Sequence, residues 1–178
     1  MAFVHSHLSR LHFALRRDII DHCDILLLSF FNRGEYHFLM SFYSDNHHSA
    51  VKFMLDQVID IPNLLYIDGD FNIGDADWDP LVSSYPTAGQ TLMDLADSFG
   101  LVCSLPVLPV LTHYLDTDGY ANSVIDLIFL GLSNVQVSHC IELDLRQPLD
   151  HAPLLANLPI LPENTHLRKK VPFCLQSP

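Results

Sequence analysis

The sequence has few cysteines, few basic residues and no long apolar run, and each shortage argues against a class of protein. The four cysteines include no Cys-x-x-Cys pair, which disfavours a zinc knuckle or a disulfide framework and predicts reduced thiols inside the cell, in the nucleus or cytoplasm. No run approaches the roughly 20 apolar residues of a membrane-spanning helix, and the N-terminus has no continuous signal core. We therefore expect a soluble, unexported chain with no membrane partner.

Basic residues are scarce relative to acidic ones. Nine Lys and Arg residues stand against 21 Asp and Glu residues, which gives a formal net charge of −12. A protein that binds nucleic acid unaided usually carries the opposite sign, because Lys and Arg supply most of the affinity for phosphate. If DNA is the substrate, the acidic residues must recruit metal or a neighbouring polypeptide must supply the contacts.

Length and composition are those of one domain. The chain has 178 residues, 49% of them apolar, which is enough for a real hydrophobic core. After Pro159 the composition changes to a basic, proline-containing stretch without clear periodicity. We expect one domain over residues 1–160 and a disordered tail over 161–178; the sequence does not indicate an oligomeric state.

The first half of the chain predicts strands followed by a helix. Residues 25–31 and 36–43 are apolar and extended, and the residues between them, Asn-Arg-Gly-Glu, are typical of a hairpin turn. The spacing of apolar residues becomes helical from Ser49 and stops before Pro62, with Asn46 and Ser49 as candidate caps.

The second half predicts one more helix among short strands. A buried strand over 64–68 leads into a polar loop, and a helix over 89–99 follows, with Gly100 where a C-terminal cap belongs. The remaining apolar segments are short and bounded by turn residues, which predicts strands within 101–105, 123–130, 135–143 and 152–158.

Three short acidic motifs lie within or directly after these predicted strands, where an unpaired charge is unfavourable. They are Gly69-Asp70-Phe71-Asn72, Ser123-Val124-Ile125-Asp126 and Asp150-His151. Each motif alone has an ordinary explanation, as a turn, a satisfied polar residue or a surface loop. Their order and separation carry more information than any one of them.

Together the motifs resemble the endonuclease/exonuclease/phosphatase superfamily, which includes pancreatic deoxyribonuclease, abasic-site endonucleases and the endonuclease domain of non-LTR retrotransposons. The match runs from about Tyr43 to Pro153. It is most similar to the retrotransposon branch in residues 69–72 with Trp78-Asp79, in 92–101 and in 123–129. The resemblance implies an α/β (α+β) fold, a two-sheet sandwich of the DNase I-like type, and cleavage of phosphodiesters in DNA with Mg2+ or Mn2+.

The resemblance also implies a role for each motif residue. Asp70 would orient or deprotonate the attacking water, and Asn72 would hydrogen-bond the scissile phosphate without adding negative charge. His151 would stabilise the charge that develops on that phosphate, while Asp126 would hold its imidazole in one tautomer. Asp150 would ligate the metal ion, since Mg2+ and Mn2+ prefer carboxylate oxygen.

Two further residues are weaker candidates, for substrate binding. Tyr43 and Asn46 match loosely a strand-end Tyr and a later Asn of the family. An aromatic residue that closes a core strand explains Tyr43 equally well. Leu149 stands where the family usually has a Ser before its final Asp-His.

The resemblance departs from the family at the start of the chain. The family's metal-binding Asn and Glu lie on its first two strands, but only about forty residues precede Tyr43 here. None of the early acidic residues lies in such a motif: Asp18, Asp21, Asp24 and Glu35. We therefore expect a fold that is incomplete at its N-terminus, with the principal metal ligand missing.

Three functions stay open. The first is a metal-dependent DNA endonuclease domain of retrotransposon origin, inactive if truncated, whose partner would be a reverse transcriptase portion of a larger polyprotein. The second is a catalytically dead fragment that acts as a binding or interaction module. The third keeps the fold and hydrolyses a phosphate ester on a lipid or small molecule.

Overall fold

The computed structural model describes residues 10–57, 60–104, 111–114, 122–131, 139–141, 150–156 and 158. This part of the chain forms eight strands and two helices. In chain order they are β1 (Ala14–Leu15), β2 (Ile25–Asn32), β3 (Glu35–Tyr43), α1 (Ser49–Gln57), β4 (Leu64–Asp70), α2 (Thr87–Ser98), β5 (Leu101–Cys103), β6 (Asp126–Gly131), β7 (His139–Ile141) and β8 (Leu154–Ala156). The predicted tail over 161–178 lies outside the described residues.

The strands form two sheets, one of six strands in the order β1-β2-β3-β4-β6-β5 and one formed by β7 and β8. Strands β3 and β4 are parallel, whereas the other pairs are antiparallel. A parallel pair needs a crossover connection, and α1 lies in it. Among the described residues, no helix is long and apolar enough to cross a membrane.

The main core lies between the six-stranded sheet and the two helices. Strand residues alternate between the sheet's two faces, so Leu127 and Phe129 of β6 belong to this core while Ile128 and Leu130 belong to the other face. The helices contribute residues at helical spacing, which are almost completely buried: Val51, Met54, Leu92 and Leu95.

The second face of the large sheet contacts β8 and is less well filled. Leu28, Phe30 and Leu39 form one apolar cluster there, and Ile128 and Leu130 form another that packs against Leu154 and Ala156. An apolar cavity of about 50 Å³ lies between them, and the side chains of Tyr66 and Asp68 line it. Along β4, the residues on this face therefore change from apolar ones in the interior to polar ones at the end of the strand.

Local sequence signals explain the turns and the helix ends. Arg33 and Gly34 adopt positive φ angles of 53° and 90°, as the predicted hairpin turn requires. Gly100, with φ of 66°, ends α2 as predicted, and its amide donates to the carbonyl of Asp97. The prediction for α1 was wrong in one detail. Asp45, rather than Asn46, accepts the Ser49 amide and hydroxyl at 3.0 Å and 2.7 Å, because its carboxylate reaches the first turn.

Candidate active site

Two aspartates meet where β4 ends and β6 begins. Asp70 is the last residue of β4 and Asp126 the first of β6, and the antiparallel register makes them direct cross-strand partners. Alternation along the strands places both on the second face of the sheet, in line with Tyr66 and Asp68. The predicted motifs around Asp70 and Asp126 are thus joined by sheet pairing.

His151 completes this group. Its Nδ1 lies 2.9 Å and 3.2 Å from the two carboxylate oxygens of Asp126, and its Nε2 lies 3.9 Å from Oδ2 of Asp70. A carboxylate oxygen accepts hydrogen bonds, so Nδ1 carries the hydrogen and its N–H donates a hydrogen bond to Asp126. The imidazole is consequently oriented with Nε2 towards Asp70.

Burial and mutual repulsion set the charges of these residues. Desolvation, followed by repulsion from Asp126, raises the pKa of Asp70 to about 6, although the nearby His151 opposes the shift. The hydrogen bond to Asp126, followed by attraction to the surrounding carboxylates, raises the pKa of His151 above its usual value despite partial burial. The arrangement thus favours the charged form of His151 beside the carboxylate of Asp70.

Asn72 lies in a tight turn directly after Asp70. Its backbone has a φ of 52°, a left-handed conformation that asparagine tolerates. Its amide N–H donates to Oδ1 of Asp70 at 3.1 Å, and its side-chain Nδ2 donates to the Ser44 carbonyl at 2.9 Å. The turn therefore fixes one Asp70 oxygen and ties the end of β4 to the residue after β3.

The two candidate substrate residues lie at the same end of the sheet but differ in their support. Tyr43 ends β3, is the register partner of Asp70, and leaves 46% of its surface exposed. Asn46 is exposed in the turn before α1. Tyr43 thus lies beside Asp70, whereas Asn46 is connected to the site only by its closeness to Tyr43 in the sequence.

Sequence reasoning missed Thr112 and His113. The buried Thr112 hydroxyl accepts the amides of Ile125 and Asp126, each at 3.0 Å, and its carbonyl accepts the Ala152 amide at 2.7 Å. His113 forms isolated β-bridges with Ser123 and His151. This short segment therefore lies between the two stretches that carry Asp126 and His151. In the sequence, its only signal was a Thr-His pair shortly after two prolines.

Two clusters of possible metal ligands include His151, and the ligand atoms within each cluster all lie within 4.8 Å of one another. One contains Asp70, Asp126 and His151, and the other contains His113, Asp150 and His151. Asp150 in the second cluster offers the carboxylate oxygen that Mg2+ and Mn2+ prefer, next to the two carboxylates of the first cluster. Asp150, predicted as a metal ligand, is exposed beside this centre.

The early acidic residues lie elsewhere in the described structure. Asp18 and Asp21 form exposed ion pairs with Arg16 and Arg17 at 2.7 Å and 2.8 Å. Glu35 starts β3, and the strand places it about 26 Å from Tyr43 at roughly 3.3 Å per residue.

Asp24 is the exception among the early acidic residues, since its carbonyl accepts the Tyr43 amide at 2.9 Å. It therefore lies at the same end of the sheet as Asp70, with one strand, β3, between them in the hydrogen-bonded order β2-β3-β4.

Comparison with solved structures identifies the fold. The endonuclease domain of TRAS1, a telomere-specific non-LTR retrotransposon, superposes with a TM-score of 0.68 at 18% identity, covering 84% of this chain and 69% of that domain. Truncated Caenorhabditis elegans TDP2 gives 0.44 at 18% identity, covering 72% and 56%. A Cimex nitrophorin gives 0.40 at 17% identity, covering 74% and 57%. No protein-family profile and no curated protein sequence matches.

The chain therefore has the DNase I-like fold that its motifs predicted. The particular structure that supports this conclusion is the TRAS1 endonuclease domain. The predicted mixed α/β sandwich with two sheets is confirmed.

Proposed function

We propose that this chain is a metal-dependent phosphodiesterase domain, a DNA endonuclease of the retrotransposon kind. The observation that carries the proposal is the convergence of Asp70, Asp126 and His151 at one end of a DNase I-like sheet. A general base whose pKa lies close to neutral pH, beside an oriented imidazole, provides the groups that hydrolysis of a phosphodiester needs.

In the proposed reaction Asp70 accepts a proton from water. The water oxygen forms a bond to phosphorus, the bond from phosphorus to the leaving oxygen breaks, and solvent returns a proton to that oxygen. A pKa of about 6 leaves Asp70 largely ionised near neutral pH yet still basic enough to take the proton.

His151 stabilises the phosphate while this happens. Its Nδ1–H is held by Asp126, so Nε2–H of the charged imidazole can donate to a phosphate oxygen as negative charge builds up there. Asp126 acts through His151 and is a positioning residue in this scheme. Mg2+ or Mn2+, when bound, would neutralise phosphate charge, with Asp150 among its ligands.

Three further residues would bind the substrate. One N–H of the Asn72 amide is used by the Ser44 carbonyl, which leaves its second N–H for a phosphate oxygen. Tyr43 has its exposed ring beside Asp70, where a nucleotide would lie, and Asn46 is exposed beyond it. These assignments follow from the family resemblance and from their positions at this end of the sheet.

Nicking of supercoiled plasmid DNA tests the proposal. We expect nicking with Mg2+ or Mn2+, none with a chelator, and a loss of at least about 100-fold in Asp70→Ala and in His151→Ala. His37→Ala, on β3 far from the site, is the matched control and should nick like the unaltered chain. Cleavage that needs no metal and survives both site substitutions would refute the mechanism.

The net charge of −12 favours a second candidate, a binding module without catalysis. Such a module would attract a basic protein partner rather than DNA. Calorimetry with Mg2+ separates the two functions, since the endonuclease should release or absorb heat that disappears in Asp150→Asn. A reverse transcriptase portion of the same polyprotein is the partner that the endonuclease proposal implies, because it would supply the contacts to DNA that this acidic chain lacks.

A further inference from the structure

A second group of metal-ligating side chains shares His151 with the candidate active site. His113, Asp150 and His151 each offer a ligand atom within 4.8 Å of the others. The β-bridge between His113 and His151 holds their rings with centroids 4.7 Å apart and an interplanar angle of 54°. Backbone hydrogen bonds fix this approach, because the Ala152 amide donates to Thr112 and the Tyr114 amide donates to Asp150, each at 2.7 Å.

Hydrogen bonds orient both imidazoles so that each can present one ring nitrogen to a metal ion. Asp126 accepts the Nδ1–H of His151, so a metal ion would bind at Nε2 in place of the proton there, which is how carboxylates orient histidines in metal sites. Nδ1 of His113 lies 3.5 Å from the Ser123 hydroxyl, which likewise directs the second ring nitrogen away from Ser123.

The chemistry of this donor set differs from that of the Asp70–Asp126 pair. Two imidazoles and one carboxylate suit Zn2+ and similar borderline ions, whereas Mg2+ prefers oxygen ligands alone. Asp150 is exposed, so water can complete the coordination. We propose that His113, Asp150 and His151 form a binding site for a transition-metal dication of the Zn2+ class.

Occupation of this site has a consequence for the proposed nuclease and in that respect rests on it. A transition metal on His151 takes the nitrogen lone pair and prevents that imidazole from carrying the proton it would donate to phosphate. Zn2+ would therefore inhibit cleavage that Mg2+ supports. His113 has no part in the proposed cleavage, which makes it the residue that separates inhibition from catalysis.

Cobalt titration of the metal-free full chain tests the site without reference to activity. Co2+ bound by two imidazoles and a carboxylate should give visible d–d absorption that Zn2+ abolishes by displacement. We expect affinity to fall at least about tenfold in His113→Asn and in the exposed variant Asp150→Asn. His12→Asn is the matched control, because His12 is exposed with φ of 50°, a conformation that asparagine tolerates.

The group formed by His22, Cys23 and Asp24 is an alternative binding site for Co2+. Cobalt there would show a sulfur-to-metal charge-transfer band that disappears in Cys23→Ser, so the titrations are repeated in that background. Absence of cobalt binding, or binding of equal strength in the unaltered chain, His113→Asn and Asp150→Asn, would overturn the proposed site.

Plasmid nicking at fixed Mg2+ tests the inhibitory consequence. Zn2+ should inhibit the unaltered chain, and His113→Asn should need about tenfold more Zn2+ for the same inhibition. Equal inhibition of both proteins would overturn this part. If the chain does not nick DNA, the nuclease proposal fails while the cobalt titration still decides the metal site.

Discussion

At the scale of single residues, the proposed reaction depends on opposite charges held close together at one end of β4. Asp70 must be ionised to accept a proton, and His151 must be protonated to donate one. Their pKa values are raised for different reasons, burial and repulsion for Asp70 and hydrogen bonding to Asp126 for His151. The two requirements define a range of pH in which both are met.

This range predicts a bell-shaped pH profile for kcat/KM. Activity should rise as pH increases through about 6, where Asp70 loses its proton, and fall at higher pH as His151 loses its own. Asp126→Asn should lower the pH at which the descending limb begins, because His151 then loses the carboxylate that raises its pKa. A descending limb unchanged in Asp126→Asn would contradict the assignment of His151.

A third aspartate, Asp68, lies two residues before Asp70 on the same face of β4. Its Oδ1 is shut off from solvent without a hydrogen-bond partner, while Oδ2 accepts from the Tyr66 hydroxyl at 3.0 Å. Burial raises the pKa of Asp68 to about 7, although the neighbouring hydroxyls of Ser41 and Tyr66 oppose the shift. The folded chain therefore keeps a proton that the unfolded chain releases at lower pH.

This difference predicts that the free energy of unfolding decreases with rising pH. The unfolded carboxyl ionises near its ordinary value of about 3.9, so the loss should begin there and level off above about 7, where the folded carboxyl is also ionised. Asp68→Asn should remove this dependence and stabilise the chain at pH 8 by on the order of 2 kcal/mol. Urea denaturation at several pH values measures it; an equal pH dependence in both proteins would contradict the role of Asp68.

At the scale of elements, the segment around Thr112 joins the stretches that carry the site. Its hydroxyl accepts hydrogen bonds from two amides, those of Ile125 and Asp126, directly at the start of β6. Thr112→Val keeps the side-chain volume but leaves both amides without that acceptor. We expect a loss of about 1–3 kcal/mol in the free energy of unfolding.

The Thr112→Val substitution should also affect the site, because the Asp126 amide is one of the two that lose their acceptor. A reduced kcat with little change in KM is the expected sign of a displaced Asp126 and His151. Thr91→Val is the matched control, since the Thr91 hydroxyl bonds only the Thr87 carbonyl one turn earlier in α2. Similar stability and activity in the two valine variants would contradict the positioning role of Thr112.

The elements also show which parts of the fold could be predicted. The hairpin, both helices and β4 carry their own signals, such as Gly34 in the turn and Gly100 after α2, so local pattern was sufficient. Strand β1 has two residues and no internal pattern; it exists because Ala14 and Leu15 pair with Ser29 and Leu28. Such pairing depends on contacts that the local sequence does not encode.

The candidate site was only partly open to sequence reasoning for the same reason. Asp70, Asp126 and His151 could be grouped because their motifs resemble a known family, and the fold brings them together. Thr112 and His113 act through a hydroxyl shared by two amides and through isolated β-bridges. These contacts leave no periodic trace in a sequence, so only the structure reveals them.

At the scale of the whole molecule, a DNase I-like sheet brings acidic residues together in a chain whose net charge is −12. The proposed catalytic residues and the affinity for DNA are therefore separate properties, because affinity for the phosphate backbone comes from basic residues. The proposed nicking should be slow and should depend only weakly on salt, because few basic contacts to phosphate mean that few counterions are released on binding.

The most direct measurement of the central claim compares two aspartates of one strand in the plasmid-nicking assay with Mg2+. Asp70→Asn removes the proposed base, whereas Asp68→Asn alters a carboxyl on the same face of β4 that the reaction does not use. We predict a loss of at least about 100-fold for Asp70→Asn and activity close to that of the unaltered chain for Asp68→Asn. Nicking by Asp70→Asn at the rate of Asp68→Asn would contradict the account.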